Sequence, residues 1–377
     1  MADSINALTL KLAKCLFSEN GQKDMVSVSG FVAYLTLSLI NRGLRDTAKD
    51  QLSEFLNCNY SFIGTSYTKI DFEYECIDPF VMAEFLTVGS VKSAIFHSGK
   101  PVENFKQLAL EVYEVELQRI DSTNNDNQLQ TLNEWGKTFK EVLFGDIFTI
   151  PIKEELSLLI INEYFLRFQW MKPFHVKSTK KTKFTDITGA KYKVEMMKVV
   201  DYFKYYDDKD LKASVIFIPL QEVDVFAVIA LPHPDNDIQD LLQRMDTKTI
   251  ESWNDYSFTK KIDLRLPKFE FVYRFSLRGF MEMNNLNSLF DNFEADFSKI
   301  IIEGGFLNDY YQASSIHINE SGSHVLYQMI DQYTPRVSVG TASVRMMITR
   351  PFIFCLYKTT NSLILHISLI AKIFTHV

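Results

Sequence analysis

The stretch INEYFLRFQWMKPF, residues 161–174, decides the fold of this chain. It continues the apolar segment LSLLI at residues 156–160, and the two together form a nearly unbroken hydrophobic run. Such a run is typical of a strand buried on both faces, because a strand with one wet face alternates apolar and polar side chains. We therefore expect a strand in the interior of the protein.

Helices are predicted before this strand and further strands after it. The segments 31–56, 99–113 and 129–143 place apolar side chains at helical spacing. No internal repeat, low-complexity linker or shift in composition marks a domain boundary along the 377 residues. The pattern predicts one α+β domain, residues 1–377. The apolar segments that indicate the later strands are residues 213–220, 223–232, 261–273, 352–358 and 362–374.

Charge and hydropathy exclude several classes of partner. The formal net charge is −7, whereas a nucleic-acid-binding protein presents a net basic face to the phosphates. No apolar run approaches the ~18 residues that a membrane-spanning helix needs. The lysine-rich run at residues 172–183 is interpreted as a solvated loop or strand edge, with binding of an anionic polymer as the alternative. We expect neither nucleic acid nor membrane as a partner.

The amino terminus and the cysteines indicate an intracellular environment. Residues 1–17 lack the basic start, apolar core and small-residue cleavage site of a signal peptide. The four cysteines, Cys15, Cys58, Cys76 and Cys355, show no paired spacing, so neither a zinc site nor a disulfide framework is predicted. The expected location is the cytoplasm, with signal-independent secretion as the alternative.

No pattern in the sequence predicts a catalytic centre. The seven histidines have no metal-ligand spacing, and no nucleophile elbow, phosphate-binding loop or cysteine–base pair is present. The acidic pair Asp207-Asp208 lies in charged sequence and is interpreted as solvated surface. We therefore expect no catalytic residue, metal or cofactor, and the protein is not expected to be an enzyme.

An ordered series of motifs resembles the serpins, a family of serine protease inhibitors. Residues 161–174 are followed by a Thr-rich segment and by the pair Met196-Met197, in serpin order. The similarity covers essentially the whole chain, and without a signal peptide the chain is most similar to the ovalbumin-related, intracellular type. The other motifs are GLRDTAKDQL at residues 43–52, LNEWGKTFKEVL at 132–143, LRLPKFEF at 264–271, LFDNFEADFSKI at 289–300, INESGS at 318–323 and ITRPFIFCLYK at 348–358.

This resemblance implies a fold and a mechanism. The expected fold has three β-sheets, eight to nine helices and an exposed reactive-centre loop at about residues 320–345. In serpins a protease attacks this loop and forms an acyl-enzyme, and the cut loop then inserts as a new strand of the main sheet, gaining backbone hydrogen bonds. The partner is therefore expected to be a protease in a covalent complex with a monomer, and loop–sheet polymers are a further expectation.

Family spacing, counted from Glu320, places the reactive bond between Arg336 and Val337. An arginine there implies a trypsin-like serine protease, whose specificity pocket offers a carboxylate to the guanidinium. Arg345 is the next candidate, but it lies too close to the motif that begins at residue 348. Inhibition of a cysteine protease would use the same loop chemistry.

The hinge of the loop leaves two functions open. The resemblance places the start of the hinge at Glu320. Gly322 and Ser323 match the small residues of inhibitory serpins, but Val325 and Tyr327, within the run VLYQ, are bulky. Bulky side chains slow insertion, and slow insertion lets the protease escape by deacylation. The alternative is therefore a non-inhibitory serpin that acts as a binding protein, a chaperone-like protein or a protease substrate.

The resemblance also implies two clusters that control sheet opening. At the breach, the top of the main sheet, Glu320 is expected to pair with Lys268 beside a buried Trp170. At the shutter, near its centre, the resemblance implies Asn162, Ser27 and a histidine. Gln312 takes the approximate place of that histidine, and its amide can still donate and accept hydrogen bonds.

Overall fold

The structure, a computed structural model, describes residues 1–58, 80–121, 124–136, 148, 155–324 and 344–373. Nine α-helices lie within these ranges, as expected for the family. They are α1 (Ala2–Glu19), α2 (Gly30–Gly43), α3 (Asp46–Leu56), α4 (Ala83–Leu86), α5 (Glu103–Val112), α6 (Asn125–Gly136), α7 (Ile238–Arg244), α8 (Thr249–Tyr256) and α9 (Arg278–Met283).

Sixteen strands lie in the described part of the chain, most of them after residue 155. They are β1 (Val26–Val28), β2 (Gly89–His97), β3 (Val115–Arg119), β4 (Leu158–Leu166), β5 (Phe168–Gln169), β6 (Lys180–Thr185), β7 (Lys191–Asp208), β8 (Ala213–Pro219), β9 (Val225–Pro232), β10 (Phe258–Pro267), β11 (Phe269–Ser276), β12 (Leu307–Ile318), β13 (Gly322–Ser323), β14 (Val344–Met347), β15 (Phe352–Lys358) and β16 (Leu363–Ile370).

The seven-stranded sheet has the order β3-β2-β4-β12-β13-β5, with β11 on the other side of β12. Strands β4 and β12 run parallel, from the pair Leu158–Leu307 to the pair Phe165–Ser315. All nine residues of β4 are buried, which confirms the prediction of an interior strand. On one face of the sheet, Asn162 of β4 donates to Thr36 of α2, a helix whose fourteen residues are all buried. A smaller apolar cluster covers the other face beneath α6.

The second sheet has nine strands in the order β1-β16-β15-β9-β8-β7-β10-β14, with β6 paired to β7. The α+β serpin fold is confirmed, but the described strands form two sheets where three were expected. Strand β7 is 18 residues long; it pairs with β6 at its start, with β10 through its middle and with β8 at its end. Because β7 belongs to both ladders, hydrogen bonds join the two smaller sheets into one.

The cysteines differ from the expectation. Cys58 is disulfide-bonded, and the other half of this bond lies outside the described residues. Cys15 and Cys355 are free thiols. Sequence spacing did not predict this bond because a single pair of cysteines leaves no repeated pattern. Among the described helices, none is both long enough and apolar enough to cross a bilayer.

Candidate functional site

The candidate site lies at the end of the seven-stranded sheet where β4 and β12 separate. Below this point the two strands are hydrogen-bonded neighbours; above it, β13 lies between β12 and β5. Ser323 pairs with Ile318 on one side and with Phe168 on the other, both antiparallel. The first residues of the expected loop therefore already occupy the gap as a strand of two residues.

Close packing explains why small residues stand in β13. Gly322 has φ +146°, and a Cβ atom built there would lie 2.0 Å from the carbonyl oxygen of Phe168, so only glycine fits. Ser323 is fully buried, and its hydroxyl donates to the Leu166 carbonyl oxygen at 2.7 Å. The structure thus places the predicted hinge residues Gly322 and Ser323 inside the sheet.

The predicted breach pair is in contact. The Glu320 side chain has no solvent exposure, and its Oε1 lies 3.0 Å from Lys268 Nζ. Thr179 Oγ1 donates to the same oxygen at 2.7 Å, while Oε2 has no hydrogen-bond partner in the part of the chain that the structure describes. Lys268 also lies 3.3 Å from the Glu195 carboxylate. Burial of Lys268 lowers its pKa, but hydrogen bonds and attraction from Glu320 and Glu195 outweigh that effect and raise the pKa.

Trp170 closes the breach from inside, as the resemblance implied. It is fully buried, and its indole Nε1 donates to the Asn319 carbonyl oxygen at 2.9 Å. Its backbone N–H donates to the Ser321 carbonyl oxygen at 3.0 Å, and its ring packs on those of Phe168 and Phe174. The chain just before the hinge is therefore held through its backbone as well as through Glu320.

The sequence did not indicate three residues that contribute contacts to this site. Thr179 belongs to the lysine-rich run and carried no signal of its own. The Asn319 side chain accepts from the backbone N–H of Ser321 at 2.8 Å, an Asx turn that an asparagine before Glu-Ser-Gly could have indicated. The ring of His324 packs on Phe165, and its Nδ1 donates to the Leu166 carbonyl oxygen at 2.9 Å.

The shutter residues meet beneath the seam between β4 and β12. Gln312 lies opposite Asn162 in the strand register. The Gln312 amide accepts from the Ser29 backbone N–H at 3.0 Å and donates to the Ser29 carbonyl oxygen at 3.2 Å. Ser27 Oγ lies 2.7 Å from Ser314 Oγ. Glutamine thus joins β12 to the start of α2, in the position where the resemblance implied a histidine.

Asn162 ties the other side of the seam to the interior. Its Nδ2 donates to Ser93 Oγ at 2.7 Å and to Thr36 Oγ1 at 3.2 Å, and the Tyr310 hydroxyl donates to its Oδ1. All of these groups are buried. Opening the seam would therefore require these polar groups to find new partners.

The substitution Gln312→Ala is expected to lower the free energy of unfolding by about 1–3 kcal/mol, because it leaves buried polar groups of the Ser29 backbone without partners. Urea unfolding followed by circular dichroism measures the loss. Gln107→Ala is the control, since Gln107 is exposed and, among the described residues, its side chain donates only to Glu111 on its own helix. Equal stability of the two variants would contradict the role given to Gln312.

The remaining site predictions fall on the undescribed segment 325–343. Val325, Tyr327, Arg336 and Val337 lie outside the described residues, so their predicted roles stay predictions. Arg345, the second candidate for the reactive bond, lies in β14 with its Nε 3.4 Å from Asp263 Oδ2. Both ends of the expected loop 320–345 therefore belong to sheets. In the described part of the chain, no group of three or more His, Cys, Asp or Glu could hold a metal ion.

Comparisons with known proteins agree with this geometry. The family model described as "Serpin (serine protease inhibitor)" matches residues 3–373. Glia-derived nexin of Rattus norvegicus is 23% identical over 365 residues, which cover 94% of this chain and 89% of the nexin. The structure of human thyroxine-binding globulin complexed with thyroxine superposes with a TM-score of 0.81 at 18% identity, covering 99% of both chains. Native protease nexin-1 with heparin superposes with a TM-score of 0.80 at 19% identity, covering 98% of both chains.

Proposed function

Because the chain belongs to the serpin family, we propose that it traps trypsin-like serine proteases through cleavage at Arg336–Val337. The relatives include protease inhibitors, glia-derived nexin and antithrombin-III among them. One observation supports trapping above all others: β13 already lies between β12 and β5. Because β13 already separates the strands at this end of the sheet, a strand that lengthens from β13 can enter the seam between β4 and β12 without first having to part them there.

The proposed reaction consumes the loop once. The protease hydroxyl attacks the Arg336 carbonyl carbon, the peptide bond to Val337 breaks, and the Val337 nitrogen leaves as an amine with the transferred proton. The Arg336 carbonyl stays esterified to the protease. The freed segment between Ser323 and Arg336 then lengthens β13 and carries the protease with it. About a dozen new hydrogen bonds at ~1 kcal/mol each give a driving force on the order of ten kcal/mol. The chain itself supplies no catalytic group.

A non-inhibitory serpin is the second candidate. Ser323 faces the buried side of the sheet, so the alternation of a strand would bring Val325 and Tyr327 inward after it. That interior is already filled, for Tyr164 and Tyr310 have no solvent exposure. Accommodating Tyr327 requires repacking, which slows insertion and favours release of the cut protein as a substrate. The neighbour thyroxine-binding globulin shows the same fold in a protein named for binding thyroxine.

Incubation with trypsin, followed by denaturing gel electrophoresis, separates the two candidates. We expect a covalent band at the summed mass, whereas cleavage without that band indicates a substrate. Arg336→Ala is expected to reduce the rate of loop cleavage about 10⁴-fold, since the specificity pocket loses its charged partner. Arg345→Ala, which removes an arginine from β14, should leave that rate unchanged.

Thermal unfolding of the cut protein tests insertion separately from trapping. If the cut segment joins the seven-stranded sheet, the cut form melts at a higher temperature than the uncut form. Equal melting temperatures, with Arg336–Val337 shown by mass spectrometry to be the cut bond, would refute the proposed mechanism.

The proposed location is the cytoplasm or, after signal-independent secretion, the cell exterior. The oxidised Cys58 favours the exterior, because disulfides persist in oxidising compartments and thiols stay reduced in the cytosol. The proposed functional unit is a monomer.

A further inference from the structure

The hairpin of β6 and β7 exposes a row of lysines that the fold does not use. On its inner side, Phe184 and Val194 are buried in the main core. The outer side is exposed to solvent, and Lys183 stands directly opposite Lys193 in the strand register. The exposed group, called the lysine face below, consists of Lys181, Lys183, Lys191 and Lys193.

The lysine face places like charges opposite one another. Like charges directly opposite one another on paired strands repel. No lysine of the face forms an ion pair within the part of the chain that the structure describes. The nearby Glu195 carboxylate contacts Lys268, and that of Asp186 accepts hydrogen bonds from Thr188 and Ala190. This local positive charge stands out further in a chain of formal net charge −7.

The position of the lysine face relates it to the loop. Glu195, opposite Lys181 in the register, contacts Lys268, and Lys268 in turn contacts Glu320 just before the hinge. The chain returns from the undescribed segment 325–343 in β14, which joins the same sheet through β10 and β7. The described residues on either side of that segment are thus linked to the hairpin, Glu320 through Lys268 and Glu195, and Val344 through β10 and β7.

We propose that the lysine face docks an acidic surface of the protease that attacks the loop, outside the protease's own active site. The proposal rests on the proposed function, because it assigns a partner surface to the same encounter. The hairpin strand β6 has six residues and spans about 20 Å, a length suited to one protein contact rather than to a long polyanion. Its exposed side offers no large apolar side chain for insertion into a membrane.

The physical effect of such a contact is on the rate of encounter. Complementary charge steers association and raises rate constants by about 10–10³-fold at low salt. Since these charges are exposed, the gain disappears as ionic strength rises. The lysine face therefore selects among proteases that share a preference for arginine, in favour of those with an acidic surface beside the active-site cleft.

The test compares anionic and cationic isoforms of trypsin, which share their cleavage specificity. The second-order rate constant of loop cleavage is measured at low and high salt, so that the result does not depend on whether cleavage leads to trapping. For Lys183→Glu/Lys193→Glu we expect an approximately tenfold fall with anionic trypsin at low salt, no fall with cationic trypsin, and convergence at high salt. Lys23→Glu/Lys106→Glu, which reverses the charge of two exposed lysines outside the hairpin, is the matched control.

A second measurement tests the docking proposal even if the proposed function is wrong. If neither isoform cuts the loop, the trypsin-like target is wrong, and binding of active-site-blocked, fluorescently labelled anionic trypsin is compared for the two double variants. Equal rates or equal binding for both would overturn the docking proposal. A loss of binding to dextran sulfate alone, with anionic trypsin unaffected, would also overturn it and assign the face to a polyanionic chain.

Discussion

Glu320→Lys is expected to lower the free energy of unfolding of the uncut protein by about 3–5 kcal/mol, because breaking a buried ion pair strands a charge. Glu320 has no solvent exposure and contacts Lys268 at 3.0 Å. An ammonium group in its place would face Lys268 directly, with only Glu195 to compensate. The segment before the hinge would lose its anchor, and the seam would become open to the loop of another copy.

Urea unfolding and native gel electrophoresis measure the two consequences of Glu320→Lys. We expect an earlier unfolding midpoint and a ladder of loop–sheet polymers on mild heating. Glu320→Gln should show a smaller loss, since its amide oxygen still accepts from Thr179. Glu222→Lys, a charge reversal at an exposed position, is the control. A soluble and active monomer of unchanged stability for Glu320→Lys would show that the anchor is dispensable.

Glu163→Gln is expected to stabilise the uncut protein by about 3 kcal/mol at pH 8, because a pKa difference of one unit corresponds to about 1.4 kcal/mol. The Glu163 side chain is buried in β4, and neither carboxylate oxygen has a hydrogen-bond partner among the described residues. Burial raises its pKa to about 7, against the attraction of Lys92 and Arg274. Lys92 stands opposite in the register but donates to the Trp135 carbonyl oxygen instead.

The sign of the pH dependence follows from the direction of the shift. In the unfolded chain Glu163 loses its proton near its ordinary pKa of 4.5, whereas in the fold it keeps the proton up to a pKa of about 7. Stability is therefore lost as pH rises between these values, and the full penalty is present above pH 7. Glutamine resembles the protonated form, so the gain in Glu163→Gln should shrink towards zero at pH 4.5.

Unfolding experiments at pH 5 and pH 8 test this expectation. The control is Glu134→Gln, since the Glu134 side chain is exposed and, within the described ranges, accepts only from Gln130 on the same helix. A gain in Glu163→Gln that is equal at both pH values, or absent at both, would show that the buried carboxylate carries no ionisation penalty.

The sequence indicated those features of the fold and site that depend on local pattern or on family motifs. The apolar run at residues 156–174 indicated the interior strand β4, and the motifs around Lys268 and Glu320 indicated a pair that the structure brings into contact. Continuity of β7 through two ladders was not predictable, because strand partners lie far apart in sequence. The sequence could not show that the Glu163 carboxylate lacks a hydrogen-bond partner among the described residues, because this depends on the direction of the Lys92 side chain. Nor could it show the Cys58 disulfide, because this depends on which cysteines the fold brings together.

The two-residue strand β13 also has a kinetic consequence. Forming a strand from a free segment requires a slow nucleation step, in which backbone order is imposed before hydrogen bonds compensate for it. Here that nucleus exists before any protease arrives, so cleavage would start elongation without a lag. If the register of the growing strand shifted by one residue, its inward-facing and outward-facing side chains would be exchanged. The pairing of Ser323 already fixes the register, so this shift is excluded before elongation begins.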